Sequence, residues 1–369
     1  MKTRVLILHT SVGFGIKATA EAILEKLQKS DVFEVRIEDV EKVEAGISSS
    51  IIKKAYLRIL DNFSGLWGYL YQSGLVMAIA LPLRKFIASF KSKHVLRILR
   101  EFQPAMVIST QTVPSAMVAY LKSKGLYRGK LVAVFSDYHL HEFWLYKEVD
   151  LYICNIEEQV QGLINLGIPK EKTALTGTII LDKFFEPISR ELACEQLGLL
   201  TSMPTIILGG AGRARESNKE IFLQLLRSEK SFQIVVICGN NQQLREELKK
   251  ISTPSRHPAK ILGYVNNMDV LMSAASVLVY KTGGPSMAEA VVKKLPMVLT
   301  DVRPGHELVN LEYLLHNNIA YYARIKREVA FLAEQILEGK LKINFESAFA
   351  KIIKPPKSVS VVDSLRTIL

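Results

Sequence analysis

Val277–Ala290, VLVYKTGGPSMAEA, decides how this chain folds. An apolar run of strand length, Val277–Tyr280, reaches Lys281-Thr282 and then turns at Gly283 and Gly284. A helix follows over Met287–Lys293, with Ser286 at its start. A buried strand that hands over to a helix through a glycine turn is the unit of a parallel α/β sheet. The amino end of such a helix is an anion site, because its N–H groups and its dipole both favour negative charge. Glu289, one turn further on, can accept hydrogen bonds from ribose hydroxyls. Ser286 and Glu289 also fit the S-x-x-E capping box, and the two readings are compatible. The lysine-serine pair of a P-loop does not follow, which suits a diphosphate held without an ATP-type magnesium cradle.

The same rhythm extends in both directions. Downstream, Met297–Thr300 is a further strand. Upstream come strand Thr205–Leu208, strand Gln233–Cys238, helix Gln242–Ile251, strand Ala259–Leu262 and helix Met268–Ala275. A separate series begins the chain: strand Val5–His9, helix Ile16–Gln28 and strand Phe33–Ile37. Strands at Met106–Ser109, Leu131–Ser136 and Leu151–Cys154 continue it. The pattern resets around Pro187–Pro204, and Leu192–Leu197 reads as a short helix. The expected organisation is an α/β domain over 1–186, a second over 187–330, and a helical segment over 331–369 that packs back on the first.

Length and composition agree with that division. The chain has 369 residues, enough for two ordinary domains. Hydrophobic residues make up 49% and charged residues 23%, the balance of a globular protein. The net charge of +12 leaves nucleic acid, an anionic membrane or phosphorylated small molecules as partners. Three widely spaced cysteines, Cys154, Cys194 and Cys238, exclude a disulfide framework and a cysteine-based zinc site, and suit a reducing cytoplasm. The start, MKTRVLILHTSVGFG, lacks the apolar core and cleavage site of a signal peptide. The longest other apolar run, Leu75–Leu83, is about half the length of a membrane-spanning helix.

Several further stretches carry chemistry. Gly13-Phe14-Gly15-Ile16-Lys17-Ala18 follows the first strand and fits G-x-G-x-x-A, as a dinucleotide turn or as an ordinary tight turn. Gly209-Gly210-Ala211-Gly212-Arg213 ends the first strand of the second series; it suits a phosphate, or is a plain βα loop. Pro304-Gly305-His306-Glu307-Leu308-Val309-Asn310 places polar side chains just after a strand, to read a ligand or simply to face solvent. In Ser136-Asp137-Tyr138-His139-Leu140-His141-Glu142-Phe143-Trp144, a histidine beside carboxylates is what general-base chemistry needs. The paired histidines lack clustered third ligands, so no metal site is expected. Residues 51–100 hold nine basic residues against Asp61 alone, a net +8, interleaved with Trp67, Tyr71 and other aromatics. Such a stretch can seat on an anionic leaflet. It can equally be a solvated helical pair with its apolar face in the core. No helix-turn-helix, RRM or zinc pattern supports nucleic acid.

Taken together, these motifs resemble the diacylglycerol glycosyltransferases, the processive glucosyltransferases and monogalactosyldiacylglycerol synthases related to the peptidoglycan GlcNAc transferase. The family's S-x-G-x-G-H stands here as SVGFGI, and its Tyr and Leu-Trp region as KKAYLRILDNFSGLWGYLY. Its T-D-Y-x-x-H-x-x-W is SDYHLHEFW, its K-x-G-G-x-T-x-x-E is KTGGPSMAE, and its P-G-x-E-x-x-N is PGHELVN. GTIILDKFF matches G-x-P-x-x-x-x-F without the proline.

The resemblance implies a GT-B fold, two Rossmann-like domains facing an interdomain cleft. It implies an inverting enzyme that moves glucose or galactose from a UDP-sugar to diacylglycerol or a similar lipid, at the cytoplasmic face of a membrane, with no metal or other cofactor. Tyr264 and Val265, in the turn GYVNNM, would hold the uracil through backbone atoms. Gly210, Gly212, Gly283, Gly284 and Ser286 would meet the diphosphate, and Glu289 the ribose. His306, Glu307 and Asn310 would contact the sugar. Gly13, Gly15, Ile16 and Trp144 would line the acceptor side, and Lys53, Lys54, Arg58, Trp67, Tyr71, Arg84 and Lys85 the membrane. The family's histidine at the first glycine turn is Ile16 here, which cannot take a proton: either His141 or Asp137 does that job, or the acceptor hydroxyl is activated differently, or the transferase activity is lost. The alternatives are a GlcNAc transferase with a polyprenyl-linked acceptor, a UDP-sugar epimerase, and a catalytically silent UDP-sugar-binding membrane protein.

Overall fold

A computed structural model describes residues 2–10, 14–41, 92–210, 215–252, 256–303 and 305–369. The chain divides into two compact units. The first comprises Met1–Leu181, Arg303–Val309 and Ala350–Leu369, and the second Asp182–Val302 and Asn310–Phe349.

Each unit is built on one six-stranded sheet. In the first, β1 (Thr3–His9), β2 (Phe33–Asp39), β3 (Met106–Ser109), β4 (Lys130–Val134), β5 (Leu151–Cys154) and β6 (Thr173–Leu175) lie in the order β2-β1-β3-β4-β5-β6. In the second, β7 (Thr205–Leu208), β8 (Gln233–Ile237), β9 (Ala259–Leu262), β10 (Val277–Tyr280), β11 (Met297–Leu299) and β12 (Tyr321–Tyr322) lie in the order β12-β11-β10-β7-β8-β9. Every pairing is parallel. The strands read as near-continuous apolar runs because a parallel sheet is covered on both faces. Leu6, Leu8, Val107 and Leu131 pack into one core cluster of the first sheet, and Val5, Ile7, Ile108 and Val132 into another. Each such side chain contributes roughly 1.5–3 kcal/mol on burial. β6 and β12, of three and two residues, are too short for a periodic signal and escape the sequence reading.

The expected C-terminal segment divides. Helix Arg327–Leu337 sends Val329, Ala333 and Ile336 into the core of the second sheet. Its apolar face finds a partner there, so it is no part of a segment returning to the first unit. Ala350–Leu369 does group with the first unit. There the Thr178 N–H donates to the Ile352 carbonyl at 2.7 Å and the Val359 N–H to the Leu175 carbonyl at 2.9 Å. Val361 and Leu365 join the core cluster around Val5 and Ile7. Gly177 makes this return possible, with φ +75° and a Cβ position that would lie 1.9 Å from the Ile353 carbonyl oxygen. Any side chain would push the segment away.

Strand order also locates the ligand positions. The connections leave β1 toward β2 on one side and return to β3 on the other. In the second sheet β8 and β9 lie on one side of β7, and β10 on the other. Ligands of open α/β sheets bind beyond the carboxyl ends of the strands at such switch points.

Candidate functional site

The β7/β10 switch point joins two of the glycine turns. Gly209 and Gly210 follow β7, and Lys281–Gly284 follow β10. Tyr280 lies over the first turn, since a Cβ on Gly209 would come within 2.4 Å of its ring. Gly210 adopts φ +81°, a left-handed value suited to glycine. The carboxyl end of β11 is tied in as well: the Ser217 hydroxyl donates to the Asp301 carboxylate. Asp301 has φ +55°, uncommon for a residue with a side chain.

The helix after β10 runs Gly284–Val292, opening earlier than its apolar spacing predicts. Gly283 is its N-cap, without a side-chain cap hydrogen bond, and Pro285 sits in the first turn. Proline already carries the helical φ and gives up only an N–H that the first turn leaves unpaired. Ser286 is therefore the third helical residue, and the capping box with Glu289 does not form. The Ser286 side chain bonds instead to the Tyr280 hydroxyl. Burial and the nearby Glu289 charge push that phenol up to about 12.

Glu289 is 8% exposed. Burial pushes its carboxyl up to about 8, with Lys183 pulling it down and Asp269 pushing it further up. Lys183 pairs with Asp269 at 3.0 Å. The Lys293 Nζ donates to the Glu186 carbonyl at 2.8 Å, and burial pushes that ammonium down. Motif reading found Glu289 but neither Lys183 nor Asp269, because no spacing links residues so far apart in the chain. Of the turn assigned to uracil, Tyr264 is exposed and Val265 half-buried. In helix His306–His316, His306 is exposed and Asn310 fully buried. Glu307 is buried, and its Oε2 accepts from the Arg303 N–H at 3.0 Å.

The first unit holds different chemistry. Gly15 and Ile16 lie in the first turn of helix Phe14–Gln28, and the Thr110 hydroxyl donates to the Ile16 carbonyl at 3.3 Å. That bond ties the helix start to the end of β3. The hydroxyl of Thr10 after β1, the Oε1 of Gln111 after β3 and the hydroxyl of Ser115 are buried without a hydrogen-bond partner among the described residues. Beyond β4, residues 137–139 are held from below. The fully buried Asn155 donates to the Asp137 carbonyl at 3.1 Å. Gln159 donates to the Asp137 and His139 carbonyls at 2.7 and 3.1 Å. Its own Oε1 accepts from the Asn155 N–H at 2.8 Å. Neither amide was visible as a site residue in the sequence. Asp137 and His141 are half-buried. The His141 Nδ1 accepts from the Phe143 N–H at 3.1 Å, so the neutral ring keeps its proton on Nε2. Trp144 is 9% exposed and packs edge-on against Phe135 at 5.1 Å, supporting the loop from within the core.

Gly13, Gly212, Lys53, Lys54, Arg58, Trp67, Tyr71, Arg84 and Lys85 lie outside the described residues. Among the described residues no group of three or more His, Cys, Asp or Glu side chains could hold a metal ion. No helix among them is long and apolar enough to cross a membrane.

Two parallel six-stranded α/β units of this topology make up a GT-B-like fold, and solved structures share it. The Staphylococcus aureus MnaA–UDP complex superposes with a TM-score of 0.62 at 13% identity, covering 100% of this chain and 95% of that one. Acinetobacter baumannii MurG gives 0.60 at 13% identity, covering 100% and 98%. Residues 17–180 match the family model for monogalactosyldiacylglycerol (MGDG) synthase, and residues 205–361 the glycosyltransferase family 28 C-terminal domain. The chain is thus similar to MGDG synthase in its first half and to family 28 glycosyltransferases in its second. Among curated relatives, a processive diacylglycerol beta-glucosyltransferase of Bacillus cytotoxicus is 25% identical over 361 residues, 98% of this chain and 92% of that protein. Its Bacillus cereus counterpart is 26% identical over 364 residues, 98% and 93%.

Proposed function

We propose that this protein is a UDP-sugar-dependent hexosyltransferase that moves glucose or galactose to diacylglycerol, inverting the anomeric centre without a metal ion. The observation that carries the reading is the buried Glu289, one turn into the helix that follows the glycine turn at the β7/β10 switch point. A carboxylate there suits a ribose diol, and the helix start before it suits a diphosphate. The relatives' names supply diacylglycerol as the acceptor class.

In this mechanism an acceptor hydroxyl attacks the anomeric carbon opposite the leaving group. The new C–O bond forms as the bond to the β-phosphate oxygen breaks, and UDP departs with the electron pair. The amino end of helix Gly284–Val292 takes up the developing charge, which would otherwise call for a metal. Asp137 accepts the hydroxyl proton. His141 serves as a donor through Nε2, since its Nδ1 lone pair is already engaged. The basic, aromatic stretch 51–100 would seat on the anionic cytoplasmic leaflet, each Lys or Arg contributing about 1 kcal/mol.

Ile16 favours a second reading, a silent UDP-sugar-binding protein, because it stands where the family motif S-x-G-x-G-H has its histidine and holds no titratable group. Radiolabelled UDP-glucose and UDP-galactose, each with diacylglycerol vesicles, separate the two. Labelled glycolipid supports the transferase. Tight UDP binding with neither lipid product nor hydrolysis supports the silent form. Flotation with neutral and with anionic vesicles checks the membrane term, and equal recovery would remove its electrostatic part.

A further inference from the structure

We propose that Lys183 is a positioning residue for the donor nucleotide: one ammonium holds the 263–267 loop and helix Met268–Ala274 in register with Glu289. The proposal rests on the reading that a uridine nucleotide binds at this site. Lys183 lies in the single turn Asp182–Phe184, ahead of every strand of the second sheet. Its Nζ donates to the Asn266 carbonyl at 2.7 Å and pairs with Asp269 at 3.0 Å. It also sits over the Phe184 ring, 5.6 Å from the centroid, and Phe184 is buried. The ammonium is therefore fastened to a backbone carbonyl, a carboxylate and an aromatic face.

What it fastens matters. Asn266 follows Tyr264 and Val265, the two residues assigned to the base. Asp269 opens the next helix, and its negative charge bears on Glu289. Lys183 is the opposite charge bearing on Glu289. Tyr280 of β10 also senses the Glu289 carboxyl, and Lys293, just past the end of the same helix, senses Asp269. A ribose diol offers two O–H donors, which an ionised carboxylate accepts more strongly than a protonated one. Without Lys183 the Asn266 carbonyl loses its donor. Asp269 then stands unpaired near Glu289 and makes its ionisation more costly. Base contact and ribose contact weaken together, and the ribose part recovers as pH rises.

The test is UDP binding by calorimetry between pH 6.5 and 9, on the full chain, with thermal unfolding recorded for each variant. Lys183→Met is expected to weaken UDP about tenfold at pH 7, the scale of one charge-assisted hydrogen bond, with the loss shrinking toward pH 9. Lys183→Arg should restore affinity to within about twofold, since it keeps the charge and the donors. Asp269→Asn, which removes the like charge, should move the pH dependence to lower pH and serves if Lys183→Met does not fold. Glu289→Ala should weaken UDP at every pH. A folded Lys183→Met with wild-type affinity, or with a loss that neither pH nor arginine relieves, overturns the proposal while a weak Glu289→Ala keeps the site. An Asp269→Asn pH profile identical to wild type also overturns it. Wild-type affinity in Glu289→Ala overturns the nucleotide reading itself.

Discussion

The two sheets share one parallel plan with a switch point each, yet the residues at those points have little in common. At the second, the ion pair Lys183–Asp269 bears on the buried Glu289, whose carboxyl is pushed up to about 8. At the first, Thr10, Gln111 and Ser115 offer uncharged oxygens, several without partners. The 137–139 loop beside them is hung on two buried amides. Charge in a low-dielectric setting is strong and sign-selective: a carboxylate suits the O–H donors of a ribose, and the helix start beside it suits a diphosphate. Hydroxyls and amides suit a neutral hydroxylated acceptor. A shared fold thus leaves chemistry to a few side chains at the strand ends.

That contrast can be broken by exchanging its terms. The largest effect is expected from Asp137→Asn. If Asp137 takes the proton, kcat falls by about 10²–10⁴-fold while UDP affinity stays unchanged. A parallel fall in UDP affinity, measured by calorimetry, would mean the two regions do not divide the work this way. Next comes Gln159→Ala, which strips donors from the Asp137 and His139 carbonyls and an acceptor from the Asn155 N–H. Losing these buried hydrogen bonds costs about 1–3 kcal/mol, read in denaturant unfolding, and kcat should drop with KM for UDP-sugar unmoved. The smallest and most diagnostic effect is on the stability profile of Glu289→Gln. The folded protein holds the Glu289 proton up to about pH 8, whereas the unfolded chain releases it near 4.5, the ordinary value of a glutamate carboxyl. Between those values the native state binds more protons, so this group's contribution falls as pH rises. The variant lacks that dependence. Its Tm should match wild type near pH 4 and exceed it increasingly up to about pH 8, then run parallel. A gap independent of pH would place the Glu289 carboxyl in a solvated, ordinary setting.

Much of this was legible in the primary structure. VLVYKTGGPSMAEA announces a strand, a turn and a helix because burial on both faces demands an apolar run, and helix packing demands its own period. Apolar spacing starts the helix at Met287, yet Pro285 is tolerated within a first turn, so the helix starts at Gly284. The helical character of the C-terminal segment is legible, but not the sheet that helix Arg327–Leu337 covers, because an amphipathic face does not name its partner.

The amino-acid order alone determined the alternation of strands and helices, the glycine turns and the acidic residue one turn beyond the third of them. Those properties are local, set by backbone sterics and side-chain period over a few residues. Only the tertiary structure decided that β7 and β10 are neighbours, that Ser217 bridges to Asp301, and that Lys183 reaches both Asn266 and Asp269. Such pairings follow from strand order and burial, which sum over the whole domain.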